Sequence, residues 1–137
     1  MRRAAAVALF IALVAGCSTA PPAAPASDAA AVSDQRFPDI VDVVVTGTAS
    51  TFSFAVTVSS PYDTPERYAD AFRVRGADGT EYGVTELTHD HATEQPFTRT
   101  LSGVTLPAGV TSVVVEGRDQ ANGWGGGTRT VEVTEVD

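Results

Sequence analysis

The chain contains no lysine, one cysteine, one methionine and one tryptophan among its 137 residues. A lone cysteine rules out an intrachain disulfide, so no covalent staple supports the fold, and the all-thiolate zinc sites are ruled out with it. A lone methionine leaves no thioether-rich surface of the kind that carries copper. Every formal cation is an arginine, nine of them against seventeen acids, for a net charge of −8. Such a balance argues against nucleic acid as a partner and against electrostatic adsorption to anionic lipid, because both demand a basic face. The apolar run Ala4 to Ala15 is shorter than the ~20 residues that a spanning helix needs. No long 3.6-residue period occurs. No serine stands in a Gly-x-Ser-x-Gly elbow, and the carboxylates lack a spacing that would set an acid against a base, so the sequence predicts no enzyme.

What is present begins with Met1-Arg2-Arg3, the apolar Ala4 to Ala15, and Leu13-Val14-Ala15-Gly16-Cys17. A basic start, a short apolar core and small residues ahead of a cysteine resemble a bacterial lipoprotein signal with its lipobox. The resemblance implies cleavage after residue 16, a diacylglyceryl thioether on Cys17, and an exported protein held to the membrane on its periplasmic or cell-surface side. Two acyl chains, at about 0.8 kcal/mol per buried methylene, give durable attachment where one would not. An ordinary secretory signal cut near Ala20 is the alternative; it also exports the chain and leaves it free. Loss of Arg2 and Arg3 takes nine arginines to seven against seventeen acids, a formal net charge of −10. Residues 17–36 hold the lipidated cysteine and an alanine- and proline-rich stretch with Pro21, Pro22 and Pro25. It has too little large apolar surface to offset its ordering entropy and reads as a tether, about 3.1 Å per residue where extended.

Residues 37–137 suffice for one small domain. Their hydrophobic pattern has period two. Phe52, Phe54, Val56 and Val58 alternate with Ser53, Ala55, Thr57 and Ser59, the signature of a half-buried strand. The same reading places Val41, Val43 and Val45 on one face, then Tyr68, Asp70, Phe72 and Val74, then Tyr82 and Val84, Phe97 and Leu101, Val113 and Val115, and Val131 and Val133. Thr46-Gly47-Thr48, Ala77-Asp78-Gly79 and Pro107-Ala108-Gly109 supply turns. The expectation is an all-β, single antiparallel two-sheet sandwich of about seven strands. Asp70 conflicts with that pattern, since an unpaired buried carboxylate costs several kcal/mol, and a place at the sandwich rim is expected for it.

The stretch Val113 to Gly123 is similar to the penultimate strand and following loop of many bacterial immunoglobulin-like domains, and the whole of 37–137 resembles an immunoglobulin-like or fibronectin type III-like module. It departs from antibody-type domains in having neither paired cysteines nor the tryptophan between them. With strands A, B, C, C′, E, F and G running up and down, the B–C, C′–E and F–G connections share one pole. These are Pro61–Arg67, His89–Pro96 and Asp119–Gly127, the three segments richest in side-chain chemistry. Loops on a rigid scaffold commonly carry binding residues, so Tyr62, Asp63, Arg67, His89, His91, Glu94, Asp119, Asn122 and Trp124 are the candidate site.

Within that set, His89 and His91 flank Asp90, and in extended backbone they project to one side. Both imidazoles can meet one Zn²⁺ or Cu²⁺ with Glu94 or Asp63 adding oxygen, although a structural site needs four donors and no third histidine exists. The other reading has them tying loops together. Trp124, among glycines, reads either as a flexible capture residue for a sugar, a peptide or a protein surface, or as a plug over the core. Arg67 is expected to pin neighbouring loops through Asp63, Glu94 or Asp119, and Pro65 to open a single helical turn capped by Asp63 or Thr64. The functional expectation is a lipid-anchored cell-envelope binding module engaging an envelope protein, peptide or glycan, with no cofactor. A small zinc- or copper-binding protein and a structural accessory lipoprotein are the alternatives.

Overall fold

The computed structural model describes residues 34–134; the signal segment, Cys17 and nearly all of the tether lie outside them. Seven strands follow in order: β1 (Asp39–Thr48), β2 (Thr51–Ser59), β3 (Ala69–Arg75), β4 (Glu81–Glu86), β5 (Phe97–Thr105), β6 (Ser112–Asp119) and β7 (Gly123–Glu132). Every pairing is antiparallel, and the strands form two sheets ordered β1-β2-β5 and β4-β3-β6-β7. The architecture is the expected all-β sandwich.

The core follows from the alternation. Phe52, Phe54, Val56 and Val58 of β2 pack with Phe72 and Val74 of β3 and with Val113 and Val115 of β6. Each fully buried aliphatic or aromatic side chain contributes about 1.5–3 kcal/mol, and with no disulfide available this burial carries the fold. The Ala77-Asp78-Gly79 hairpin forms as expected. The Gly79 N–H donates to the Gly76 carbonyl at 3.1 Å, Gly79 has a φ of 91°, and the Asp78 carboxylate accepts from the Thr80 N–H and hydroxyl.

Two β-bulges interrupt the alternation where the sequence pattern ran unbroken. In β1 the register slips between Ile40 and Asp42, so Ile40 takes the buried place and Val41 is 37% exposed, with Val43 and Val45 still packed on the core. In β3 it slips between Ala69 and Ala71. Ala69 therefore faces inward opposite Asp119, while Asp70 turns to the outer face and meets Arg118. Asp70 thus avoids burial through a bulge at the very start of β3. A third slip, between Val74 and Arg75, leaves Tyr82 packed on the core and Val84 41% exposed. Thr46, Gly47 and Thr48 prove to be the end of β1, and the turn falls at Ala49-Ser50, where Ala49 has a φ of 55°.

Candidate functional site

The β2–β3, β4–β5 and β6–β7 connections gather at one pole and are cross-braced by buried carboxylates. Asp63 is 4% exposed; one of its oxygens accepts from the Ala69 N–H at 3.0 Å and the other from the His91 N–H at 2.9 Å. One side chain thereby joins the first two connections. Gln95 makes a second brace, accepting from the Ser60 N–H at 2.7 Å and donating to the Ser60 hydroxyl and the His91 carbonyl. Instead of a helical turn at Pro65, Thr64 and Arg67 bridge through paired backbone hydrogen bonds of 2.8 and 3.1 Å.

Asp119, fully buried at the end of β6, joins the remaining pieces. Its carboxylate accepts from Arg67 Nε at 3.1 Å, from the Ala121 and Asn122 N–H groups at 3.0 and 2.8 Å, and from Asn122 Nδ2 at 2.7 Å. Burial acts to raise this carboxyl. The neighbouring Tyr62 hydroxyl, Arg67 and Asn122 outweigh it and hold Asp119 below the ordinary carboxylate range. Tyr62 lies beneath the Arg67 guanidinium, 4.2 Å from ring centroid to Cζ, with its hydroxyl buried and making no hydrogen bond of good geometry. Burial, followed by the Asp119 and Asp63 charges, raises this phenol far above its usual value.

The same group grips the segment that leads into β1. Arg67 Nη2 donates to the Gln35 and Arg36 carbonyls at 3.2 and 2.9 Å, and Asn122 Nδ2 reaches the Arg36 carbonyl at 3.0 Å. Past it, the Gly125-Gly126-Gly127 run proves to be strand β7 and not a flexible loop. The β6–β7 connection is only residues 120–122. The glycines permit close approach. A Cβ at Gly125 would meet the Phe37 ring at 2.7 Å, one at Gly126 would collide with the Pro38 carbonyl oxygen, and Gly127 N–H donates to Asp39 at 2.6 Å.

Trp124 is accordingly neither a mobile capture loop nor a core plug. It stands opposite Arg118 on β7, on the outer face of the four-stranded sheet, with the Arg73 and Arg118 guanidinium carbons 4.1 and 5.3 Å from its ring centroid. Arg73 and Arg75 both donate to Glu116, and Arg118 forms a two-bond contact with Asp70 at 2.8 and 3.1 Å. The sequence reading missed this ladder. The alternation of Arg73 and Arg75 on a strand whose other face is Phe72 and Val74 was the available signal.

His91 is 2% exposed, its ring stacked on Phe97 at 3.8 Å and tilted against His89 at 4.6 Å. Neither ring nitrogen has a partner; Nδ1 is 4.0 Å from an Asp63 oxygen already occupied by backbone. Desolvation, then the Arg99 and His89 charges, lower its pKa despite Asp63 and Glu94, which favours the neutral imidazole. His89 and Glu94 are exposed, and Glu94 is paired with Arg99 at 2.9 Å. Among the described residues, no three His, Cys, Asp or Glu side chains are grouped to hold a metal ion. The histidines are close together, yet stacking commits the buried one to packing.

On the outer shoulder of this pole a cavity of about 340 Å³ opens between the start of β3, the end of β4 and the end of β6. Tyr68, Asp70, Glu86, Leu87, Thr88 and Arg118 line it.

No family model matches the chain, and no solved structure matches it. A protein of Halomicrobium mukohataei described as "Putative lipoprotein" is 37% identical over 100 residues, which is 72% of this chain and 49% of that protein. The chain spans about half the length of this relative.

Proposed function

We propose that this chain is a lipid-anchored, non-catalytic interaction module of the cell envelope, tethered through Cys17 and presenting the pole of its sandwich where the β2–β3, β4–β5 and β6–β7 connections meet. Two independent lines support the anchor: the Leu13-to-Cys17 lipobox pattern and the name of the Halomicrobium relative. The sheet orders, A-B-E and C′-C-F-G in strand letters, support a fibronectin type III-like sandwich as its body.

The observation that carries the reading is the grip of Arg67 and Asn122 on the Gln35 and Arg36 carbonyls. It holds Gln35 and Arg36, where the described chain begins, at the chemically rich pole, so the proposed anchor would attach on that side of the body and not on the side of the Pro107–Val110 turn. Asp63 and Asp119 support recognition over catalysis, because their oxygens are taken by backbone N–H groups and Arg67. A free general base is not among them.

Two measurements test this. Full-length protein should label with radioactive fatty acid and fractionate with membranes, and Cys17→Ser should do neither. A photoreactive residue at Thr88 or Glu94, both exposed at the pole, should cross-link envelope components, while one at exposed Ala108 should not. Soluble wild type, or cross-links from Ala108 alone, would overturn the reading.

A further inference from the structure

Resting on that reading, the geometry points to a saccharide subsite: the cavity walled by Tyr68, Glu86, Thr88 and the Asp70–Arg118 pair takes one uncharged pyranose ring of an envelope glycan.

Size comes first. About 340 Å³ lies at the lower end of small-ligand pockets, large enough for a single ring and too small for a helix or an extended peptide face. The cavity is open to solvent, so a longer chain can continue from either side of the ring. At the opposite pole a cavity of about 110 Å³, lined by residues such as Leu106, Pro107 and Val110, includes no charged side chain and is smaller than a ring requires.

Chemistry then selects the ligand. A pyranose has an apolar face of C–H groups and a rim of closely spaced hydroxyls, each both donor and acceptor. For the first, the cavity has Leu87 and Tyr68 among its lining residues. For the second it has a guanidinium with five donors, two acceptor-only carboxylates and the Thr88 hydroxyl. Asp70 and Arg118 are already held together by two bonds of 2.8 and 3.1 Å, which restricts their remaining donor and acceptor positions before any ligand arrives. The β3 bulge is the device that puts Asp70 there.

Charge removes the competitors. Two carboxylates against one guanidinium leave a single net negative charge, which disfavours phosphates and uronic acids. A lysine ammonium would satisfy that one charge but, having donors only, offers nothing to the Arg118 donors. An uncharged ring meets neither penalty.

The test is ligand-observed saturation-transfer NMR on the full chain in detergent micelles, with N-acetylglucosamine and glucose as probes, glucuronate and a trilysine peptide as controls. Emission of Trp124, the sole tryptophan, gives a second readout through its contact with Arg118. A neutral sugar should saturate with a Kd on the order of 1 mM, fitting so few contacts. Glucuronate should bind at least about tenfold more weakly, and Glu86→Gln and Arg118→Met should each weaken the sugar about tenfold. Glu86 is exposed and its carboxylate makes no hydrogen bond among the described residues, so its variant keeps the fold if Arg118→Met does not. No saturable response to either neutral sugar, equal or tighter glucuronate binding, a response to trilysine alone, or indifference to Glu86→Gln would each overturn the assignment. Cross-links from Thr88 that persist without sugar binding would sink the saccharide and leave the interaction module standing; loss of both would remove the module too.

Discussion

Replacing Arg67 with methionine keeps the aliphatic stem and deletes the guanidinium, which isolates what the charge does. Asp119 then remains at zero exposure with its counter-ion gone. Truncating one member of a fully buried pair costs about 3–5 kcal/mol, and an exposed pair is worth about 0–1 kcal/mol. The Arg67 side chain is 32% exposed, and Asp119 keeps its bonds from Ala121 and Asn122, so the loss falls between those limits at about 2 kcal/mol. The Gln35 and Arg36 carbonyls add little, because water can replace Nη2 at that margin. For a domain of about a hundred residues, 2 kcal/mol lowers Tm by about 8–16 °C. Urea unfolding of wild type, Arg67→Met, Asp119→Asn and the double variant would measure it, with an expected coupling above about 1 kcal/mol. Arg99→Met, which removes the exposed pair with Glu94, should leave Tm unchanged within error. A cost below about 0.5 kcal/mol for Arg67→Met, or no coupling to Asp119, would refute the claim that this pair braces the pole and orients the tether.

Three further outcomes are expected. Gly126→Ala should destabilise by at least about 2 kcal/mol, since the left-handed backbone is joined by a collision with the Pro38 carbonyl, whereas Gly79→Ala, with a similar φ and open space around it, should cost about 1 kcal/mol; equal values by urea unfolding would show that the Phe37-Pro38 segment does not lie on β7. Because burial lowers the His91 pKa, the unfolded chain binds the extra proton, so stability is complete above the unfolded value of about 6.5 and falls as pH drops from there toward the lower folded value. The urea midpoint should decline across that window in wild type and stay flatter in His91→Phe; matching slopes would contradict a neutral buried imidazole. Phe72→Ala should cost about 3–5 kcal/mol and Val84→Ala, on the exposed outer face of β4, under about 0.5 kcal/mol, and the reverse order in thermal melts would place the core on the wrong side of the sheet.

Strand identity was written in the local pattern, because a half-buried strand has to alternate and the run from Phe52 to Ser59 does so without exception. The gathering of three elaborate connections at one pole followed from up-and-down strand order alone. Asp63, Arg67, His91 and Asp119 were singled out as candidates, and Asp119 was among the partners expected for Arg67, whereas the backbone partners of Asp63 were not foreseeable. Nothing near Asp63 in sequence names the His91 amide, which is 28 residues away.

The bulges at Ile40/Asp42 and Ala69/Ala71 each add a residue without any turn-forming signal, and each reverses which side chains face the core from that point. That is why Val41 and Asp70 were assigned to the wrong face and why the Asp70–Arg118 wall of the cavity stayed invisible. The glycines after Trp124 carried the opposite ambiguity, since a missing side chain permits either loose backbone or close approach. By itself the sequence determined a β-sandwich without an intrachain disulfide and proposed an export signal and a loop-end site, because signal patterns and strand period are properties of short contiguous stretches. Tertiary structure alone decided which carboxylates became braces, which arginines faced outward and where a cavity opens, because those depend on register between strands that the chain brings together only on folding.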